Sequence, residues 1–144
     1  MKVLIIQQKM IGDVLTSSIL FEAIKNHYPE AELHYVINSH TYPVVEHNPY
    51  IDQFHFYTPE HEKSKRKLWQ FANTLRAQNF DCVIDVYSKL SSNIMTLRTK
   101  ASTKISIEKK RNSLFYKYRF KHKPNASTNA GLAIENRLQL LKPL

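Results

Sequence analysis

The sequence predicts an α/β fold, a doubly wound and mainly parallel sheet held in one domain. Three observations carry that prediction. Short apolar runs rich in β-branched residues alternate with segments whose apolar residues recur at helical spacing. The first run, Val3-Leu4-Ile5-Ile6, is apolar at consecutive positions, as a strand buried on both faces must be. The length of 144 residues is that of a single domain, able to bury roughly two-thirds of its unfolded surface.

The elements follow in order. After the first strand, Leu15, Ile19, Leu20, Ala23 and Ile24 fall on one helical stripe, predicting a helix over 13–26. The turn at Tyr28-Pro29 leads into a strand over 32–37. A short helix over 41–46 is stopped by Asn48-Pro49, and 51–57 alternates with period two as a more exposed strand. Residues 65–78 form an amphipathic helix with Leu68, Phe71, Ala72 and Leu75 on one face, and Trp69 is expected to pack beside them. Cys82-Val83-Ile84 is a fourth strand ending at Asp85, followed by a helix over 91–97, a strand over 104–107 and a last helix over 129–141.

Composition excludes several classes. Hydrophobic content of 42% with 23% charged residues is that of a globular chain, not a disordered one. No apolar run approaches the eighteen or so residues of a membrane span, and the amino-terminal run is too short for a secretory signal. Cys82 is the single cysteine, so no internal disulfide forms, and a buried, unreactive thiol in a reducing cytoplasm is expected. There is no Gly-rich dinucleotide fingerprint, no P-loop and no Gly-x-Ser-x-Gly elbow. None of the four Asp residues is spaced Asp-x-Asp, and Glu60-His61-Glu62 reads as a polar turn, so no metal is expected.

The net charge of +9 has one address. Residues 98–123 hold ten Lys or Arg and one acid, Glu108, while the rest of the chain is balanced. Phe115, Tyr116, Tyr118 and Phe120 are interleaved there, a mixture that also suits single-stranded nucleic acid. A solvated basic surface and a patch for an anionic acceptor or a membrane face are the other two readings. Nucleic acid ranks last, because no recognition module accompanies the charge.

The stretch with chemical content is Lys9-Met10-Ile11-Gly12-Asp13-Val14-Leu15-Thr16. It places Asp13 on the first turn of a helix just past the carboxyl end of a parallel strand, where open α/β sheets bind ligands. The helix's positive end favours an ionised carboxylate there. Asp13 is thus either a capping residue or a binding-site carboxylate. Gly12, one of only two glycines, sits where a positive φ or close approach of a ligand would call for it. Asp85, a second carboxylate at the same edge, either orients substrate hydroxyls or caps the turn at Tyr87-Ser88-Lys89.

These pieces carry a resemblance. Met1 to Ile6, then Ile11-Gly12-Asp13-Val14-Leu15-Thr16-Ser17, resembles the opening of glycosyltransferase family 9, the lipopolysaccharide heptosyltransferases. Tyr28-Pro29-Glu30-Ala31-Glu32-Leu33, Asn48-Pro49-Tyr50-Ile51-Asp52, Phe80-Asp81-Cys82-Val83-Ile84-Asp85 and Ile134-Glu135-Asn136-Arg137-Leu138 continue it in order. The resemblance covers essentially the whole chain but only the amino-terminal, Rossmann-like half of that family's two-domain GT-B fold. It implies an inverting transferase that moves heptose from an ADP-sugar to a lipopolysaccharide core acceptor, with Asp13 as base. Lys9, Lys89 and Arg111 are candidate contacts for acidic sugar or phosphate groups, Met10, Gly12 and Thr16 complete the candidate acceptor-binding set, and no metal or other cofactor is expected. The implied acceptor is an anionic glycolipid carrying Kdo sugars, met in the cytoplasm at the inner membrane, where a basic surface would support peripheral association.

Two segments depart from the family pattern. Lys9 and Met10 stand where many members have small hydroxylated residues or arginine, and Val86-Tyr87-Ser88-Lys89 replaces a Gln-Gly-type loop. Both would face the acceptor, so its identity stays open. The donor-binding domain of the resembled fold is not in these 144 residues, which implies a piece of a longer protein or a standalone acceptor-side domain, neither transferring sugar alone. The alternative is a non-catalytic module that binds anionic glycan, lipid headgroup or nucleic acid through residues 98–123.

Overall fold

The computed structural model describes residues 1–109 and 116–144. Within them six strands form one sheet: β1 (Lys2–Ile6), β2 (Glu32–Asn38), β3 (Gln53–Tyr57), β4 (Cys82–Asp85), β5 (Thr103–Ile107) and β6 (Tyr118–Phe120). The order is β3-β2-β1-β4-β5-β6 and every pairing is parallel. The doubly wound sheet expected from the alternation is therefore present, and it is wholly parallel.

β1 lies at the centre, with Val3 opposite Leu33 on one side and Cys82 on the other. Side chains alternate across a strand, so Val3 and Ile5 enter one core and Leu4 and Ile6 the other. The first core is closed by α1 (Ile11–Ser17), α2 (Ile19–His27) and α6 (Leu132–Leu138), with Val14, Leu20, Phe21 and Ile24 packed on Tyr35 and Ile84. The second is closed by α4 (Lys65–Ala77) and α5 (Leu90–Arg98), with Phe71, Ala72, Leu75 and Met95 packed on Val36 and Val83. Val3, Leu4, Ile5 and Ile6 of β1 are fully buried, each worth about 1.5–3 kcal/mol of hydrophobic stabilisation as an upper estimate. Cys82 is buried in the sheet as expected, and burial pushes its thiol up to about 12. Among the described residues no helix is long and apolar enough to cross a membrane.

Several elements differ from the pattern-based expectation. The helix expected over 13–26 begins at Ile11 and breaks at Ser18. There the Ser18 N–H and hydroxyl both donate to the Leu15 carbonyl, while the Val14 carbonyl accepts from the Tyr35 hydroxyl at 2.8 Å. A tertiary hydrogen bond has replaced a helical one. Residues 39–44 form a 3-10 helix, and Glu60-His61-Glu62 lie in a short helix, α3 (Pro59–Lys63), rather than a turn. Thr58 and His61 cap α3 reciprocally, the Thr58 N–H donating to His61 Nδ1 at 2.9 Å. The helix expected over 129–141 is α6 alone, followed by a 3-10 turn over Gln139–Leu141. Gly131, at φ +95, sets its start.

β6 was not expected. Tyr118 and Phe120 pack against the first core and Tyr116 is buried, so these three aromatics of the basic stretch are not an exposed stacking platform. Phe115 lies outside the described residues. Trp69, expected to pack beside the α4 stripe, is instead half exposed.

Near the amino-terminal ends of β2 and β3 the sheet buries a polar chain. His34, fully buried, donates through Nε2 to Glu32 Oε1 (2.6 Å), and its Nδ1 accepts from His55 Nε2 (2.8 Å). The His34 hydrogen bond holds the Glu32 carboxyl below its ordinary range. Burial, then the neighbouring His34 and Lys2, pulls His55 down to about 4.

Candidate active site

Because β1 is flanked by β2 and β4, the chain leaves the centre in opposite directions and a crevice opens at the carboxyl ends of β1 and β4. It holds a cleft of about 520 Å³. Lys9 and Met10 follow β1, Asp13 comes from α1, Tyr87 and Lys89 follow β4, Lys109 and His122 follow β5 and β6, and Arg137 comes from α6. One carboxylate thus faces a wall of cations.

Asp13 is in the first turn of α1, as expected, with its side chain 51% exposed. Met10 holds the capping position, and no side chain caps this helix. The carboxylate is instead paired across the cleft, Arg137 Nη2 donating to Asp13 Oδ1 at 3.0 Å. Arg137 is itself held at two further points: Nε donates to Ser17 Oγ (2.8 Å) and Nη1 to the Ala133 carbonyl (3.0 Å). α6 is anchored in turn by Glu135, which accepts the Ser127 N–H and hydroxyl, and by Asn136, which accepts the Lys123 N–H at 2.7 Å. From below, buried Tyr35 fixes α1 through the Val14 carbonyl. Asp13 Oδ1 is committed; Oδ2 has no hydrogen bond among the described residues.

Asp85 is fully buried. Its Oδ1 accepts the Ser88 N–H at 2.7 Å and its Oδ2 meets the Tyr116 hydroxyl. The turn-capping role is the one realised, and an acceptor hydroxyl has no access to this carboxylate. Burial raises Asp85 to about 6, against the opposing pull of its hydrogen bonds with Tyr116, Ser88 and Ser92. The turn it caps carries Ser88 in the left-handed region at φ +48, a conformation that costs a non-glycine residue about 1–3 kcal/mol. Lys109 Nζ donates to the Ser88 carbonyl at 2.8 Å and clamps it. This is the loop that departs from the family pattern, and it sets Tyr87 and Lys89 in the cleft wall.

Of the residues singled out by sequence, Asp13, Lys9, Met10 and Lys89 meet at the cleft. Gly12 and Thr16 are not among its lining residues. Gly12 has no positive φ, and a Cβ there would touch nothing within 4 Å, so neither backbone conformation nor internal packing requires the glycine. The Thr16 hydroxyl is spent on the Gly12 carbonyl at 2.8 Å. Arg111 lies outside the described residues. Sequence reasoning gave no role to Arg137, Tyr87 or His122, although Arg137 sat in a segment that carried the family resemblance. Among the described residues, no group of three or more His, Cys, Asp or Glu could hold a metal ion.

The order β3-β2-β1-β4-β5-β6 with its cleft at the switch point defines a Rossmann-like domain of the kind found in GT-B glycosyltransferases. The chain belongs to glycosyltransferase family 9 (heptosyltransferase), whose model matches residues 68–143, more than half of the sequence. It is 26% identical over 137 residues to lipopolysaccharide heptosyltransferase 3 of Escherichia coli, a match covering 92% of this chain and 40% of that protein. Its fold is that of a glycosyl transferase family 9 protein from Veillonella parvula (TM-score 0.83, 19% identity), over 97% of this chain and 41% of the other. E. coli heptosyltransferase WaaC with ADP superposes with a TM-score of 0.79 at 20% identity, over 97% of this chain and 46% of that one. The chain spans less than half the length of each of these relatives.

Proposed function

We propose that this chain is the acceptor-binding half of an inverting glycosyltransferase that moves a heptose from an ADP-sugar to an anionic lipopolysaccharide-core acceptor, with Asp13 as general base. The observation that carries the proposal is the Asp13–Arg137 pair, which orients one carboxylate oxygen and leaves the other open to a cation-lined cleft. In this mechanism the acceptor hydroxyl attacks the anomeric carbon from the face opposite the leaving nucleoside diphosphate, and Asp13 Oδ2 takes its proton as the new bond forms. Lys9, Lys89, Lys109 and Arg137 offer the charge that would hold acidic sugar or phosphate groups. The donor is bound by a further domain, so this chain does not transfer sugar without it. No metal enters the mechanism. The work is cytoplasmic, with the basic surface drawing the protein to an anionic bilayer.

The first test is a titration of ¹⁵N-labelled chain with a Kdo-bearing acceptor fragment. Amide shifts at Gly12 and Asp13 are expected. Shifts confined to residues 98–123 that also appear with a short oligonucleotide and vanish with salt would mean a generic polyanion surface instead. In the enzyme with both halves, Asp13→Asn should lower kcat by about 10²–10⁴ with little change in acceptor affinity.

A further inference from the structure

Beneath the cleft lies a group of buried side chains that the proposed chemistry does not use. Asp85 and Tyr116 are both buried, at the foot of the turn that sets Tyr87 and Lys89 in the cleft wall. The Tyr116 hydroxyl lies within reach of two acceptors, Asp85 Oδ2 and Asn93 Oδ1, the latter at 2.8 Å. One hydroxyl proton cannot serve both. Thr96 and Ser106, which border the same hydroxyl, donate at 2.8 Å to the Ser92 and Asp85 backbone carbonyls. With Asp85 ionised, the chain Asp85–Tyr116–Asn93 is therefore one proton short. A proton on Asp85 completes it: the carboxyl donates to the tyrosine oxygen, and the tyrosine donates to Asn93.

The cleft wall is electrostatically tied to this carboxyl. Lys109 donates to the Ser88 carbonyl and the Ser88 N–H donates to Asp85 Oδ1 at 2.7 Å, so one residue separates ammonium from carboxylate. Burial, then Lys89, lowers Lys109, and Asp85 pulls the other way. Among the described residues the titratable groups that act on Asp85 are Tyr116 and Lys109, with Tyr87 and Lys89 on its own turn. α5 and β5 face it with neutral Ser92, Asn93 and Ser106. An anion seated against Lys89 and Lys109 adds like charge near a carboxyl that burial has already raised to about 6. Like charge raises it further.

We propose that the Asp85–Tyr116–Asn93 chain is a proton-uptake site linked to the cleft: seating an anionic acceptor draws a proton from solvent onto Asp85, and the acceptor is held more tightly as pH falls. The proposal rests on the acceptor-side reading above and adds that occupancy of the cleft is coupled to a residue the acceptor never touches. The coupling is reciprocal, so whatever the acceptor does to the carboxyl, the proton does to acceptor affinity.

The probe is a Kdo disaccharide, whose carboxylates stay ionised above about pH 5. If it lifts Asp85 by about one pH unit from about 6, uptake is about half a proton per ligand at pH 6.5 and binding is roughly sixfold tighter at pH 5.5 than at pH 7.5. Calorimetry of the chain in two buffers of different ionisation enthalpy counts the protons, and amide shifts give the affinities. His122 also lines the cleft, and a histidine gives the same sign, so both measurements are repeated with His122→Gln, where the Asp85 part should persist. Asp85→Asn keeps an oxygen for Ser88 and offers Tyr116 an N–H. Added to His122→Gln, it should abolish the uptake and bind equally at both pH values, as tightly as its parent does at pH 5.5. Binding without proton uptake, or uptake that disappears with His122→Gln and survives Asp85→Asn, would overturn the proposal and leave the acceptor reading standing. A disaccharide that binds at neither pH would overturn both.

Discussion

Replacing Arg137 by Met isolates the anchor of the candidate base. Met keeps most of the apolar stem and removes every donor. Three hydrogen bonds are lost, to Ser17 Oγ, the Ala133 carbonyl and Asp13 Oδ1. They are unequal. Ser17 is fully buried, so losing its charged donor costs about 1.5–2 kcal/mol. The Ala133 bond adds about 0.5 kcal/mol, and the pair with half-exposed Asp13 well under 1 kcal/mol because solvent screens it. The total of about 2–3 kcal/mol corresponds to a Tm lower by roughly 6–12 °C in a chain of this size. Asp13→Asn breaks only the screened pair and should cost less than about 1 kcal/mol. Thermal unfolding followed by circular dichroism, with urea titration for the free energies, reads both variants. A loss below about 0.5 kcal/mol for Arg137→Met, or equal losses for the two, would refute the claim that Ser17 and Ala133 hold the guanidinium in place for Asp13.

Two further predictions concern pH. His55 is pulled down to about 4 from an ordinary value near 6.5, so the unfolded chain takes up a proton first on acidification. Its stabilising share is present above pH 6.5 and lost as pH falls toward 4, at most about 3 kcal/mol and nearer half that for a partly exposed ring. His55→Gln, which keeps a donor for His34, should remove that part of the acid-induced loss in urea titrations at pH 7 and pH 4.5; an unchanged loss would rule out protonation of the His55 ring as its source. Asp85 has the opposite sign. Its carboxyl is raised to about 6 from 3.8, so its contribution is fully present below pH 3.8 and is lost as pH rises through 6. Asp85→Asn should therefore gain stability relative to wild type between pH 4 and pH 7, by up to about 3 kcal/mol, and a difference between the two proteins that is flat with pH would contradict this.

Much of the fold was legible because the signals are local. Val3 to Ile6 and Cys82 to Ile84 read as strands buried on both faces and are so. The α4 stripe of Phe71, Ala72 and Leu75 is buried as its spacing required. Elements held together by distant partners were not legible. The break at Ser18 depends on Tyr35, seventeen residues on. β6 is three residues long and basic, and becomes a strand only because β5 offers it an edge. The same limit applied to the site. Asp13 announced itself by its place after a buried strand and before a helix. Arg137, which pairs with it, is 124 positions away and reads in sequence as an ordinary helical cation.

The sequence by itself determined the alternation of strand and helix, a first strand buried on both faces, the position of Asp13 on the first helical turn, and the concentration of positive charge in one stretch. These follow from side-chain period and composition over a few residues. Only the tertiary structure decided which charges meet. It paired Asp13 with Arg137, buried Asp85 beneath Tyr116, turned the Thr16 hydroxyl back onto its own helix, and opened Trp69 to a second cavity. Hydrogen bonds and ion pairs act over about 3 Å, whereas their partners here lie 31 and 124 residues apart for Asp85 and Asp13. Packing on a common sheet is what brings them within reach.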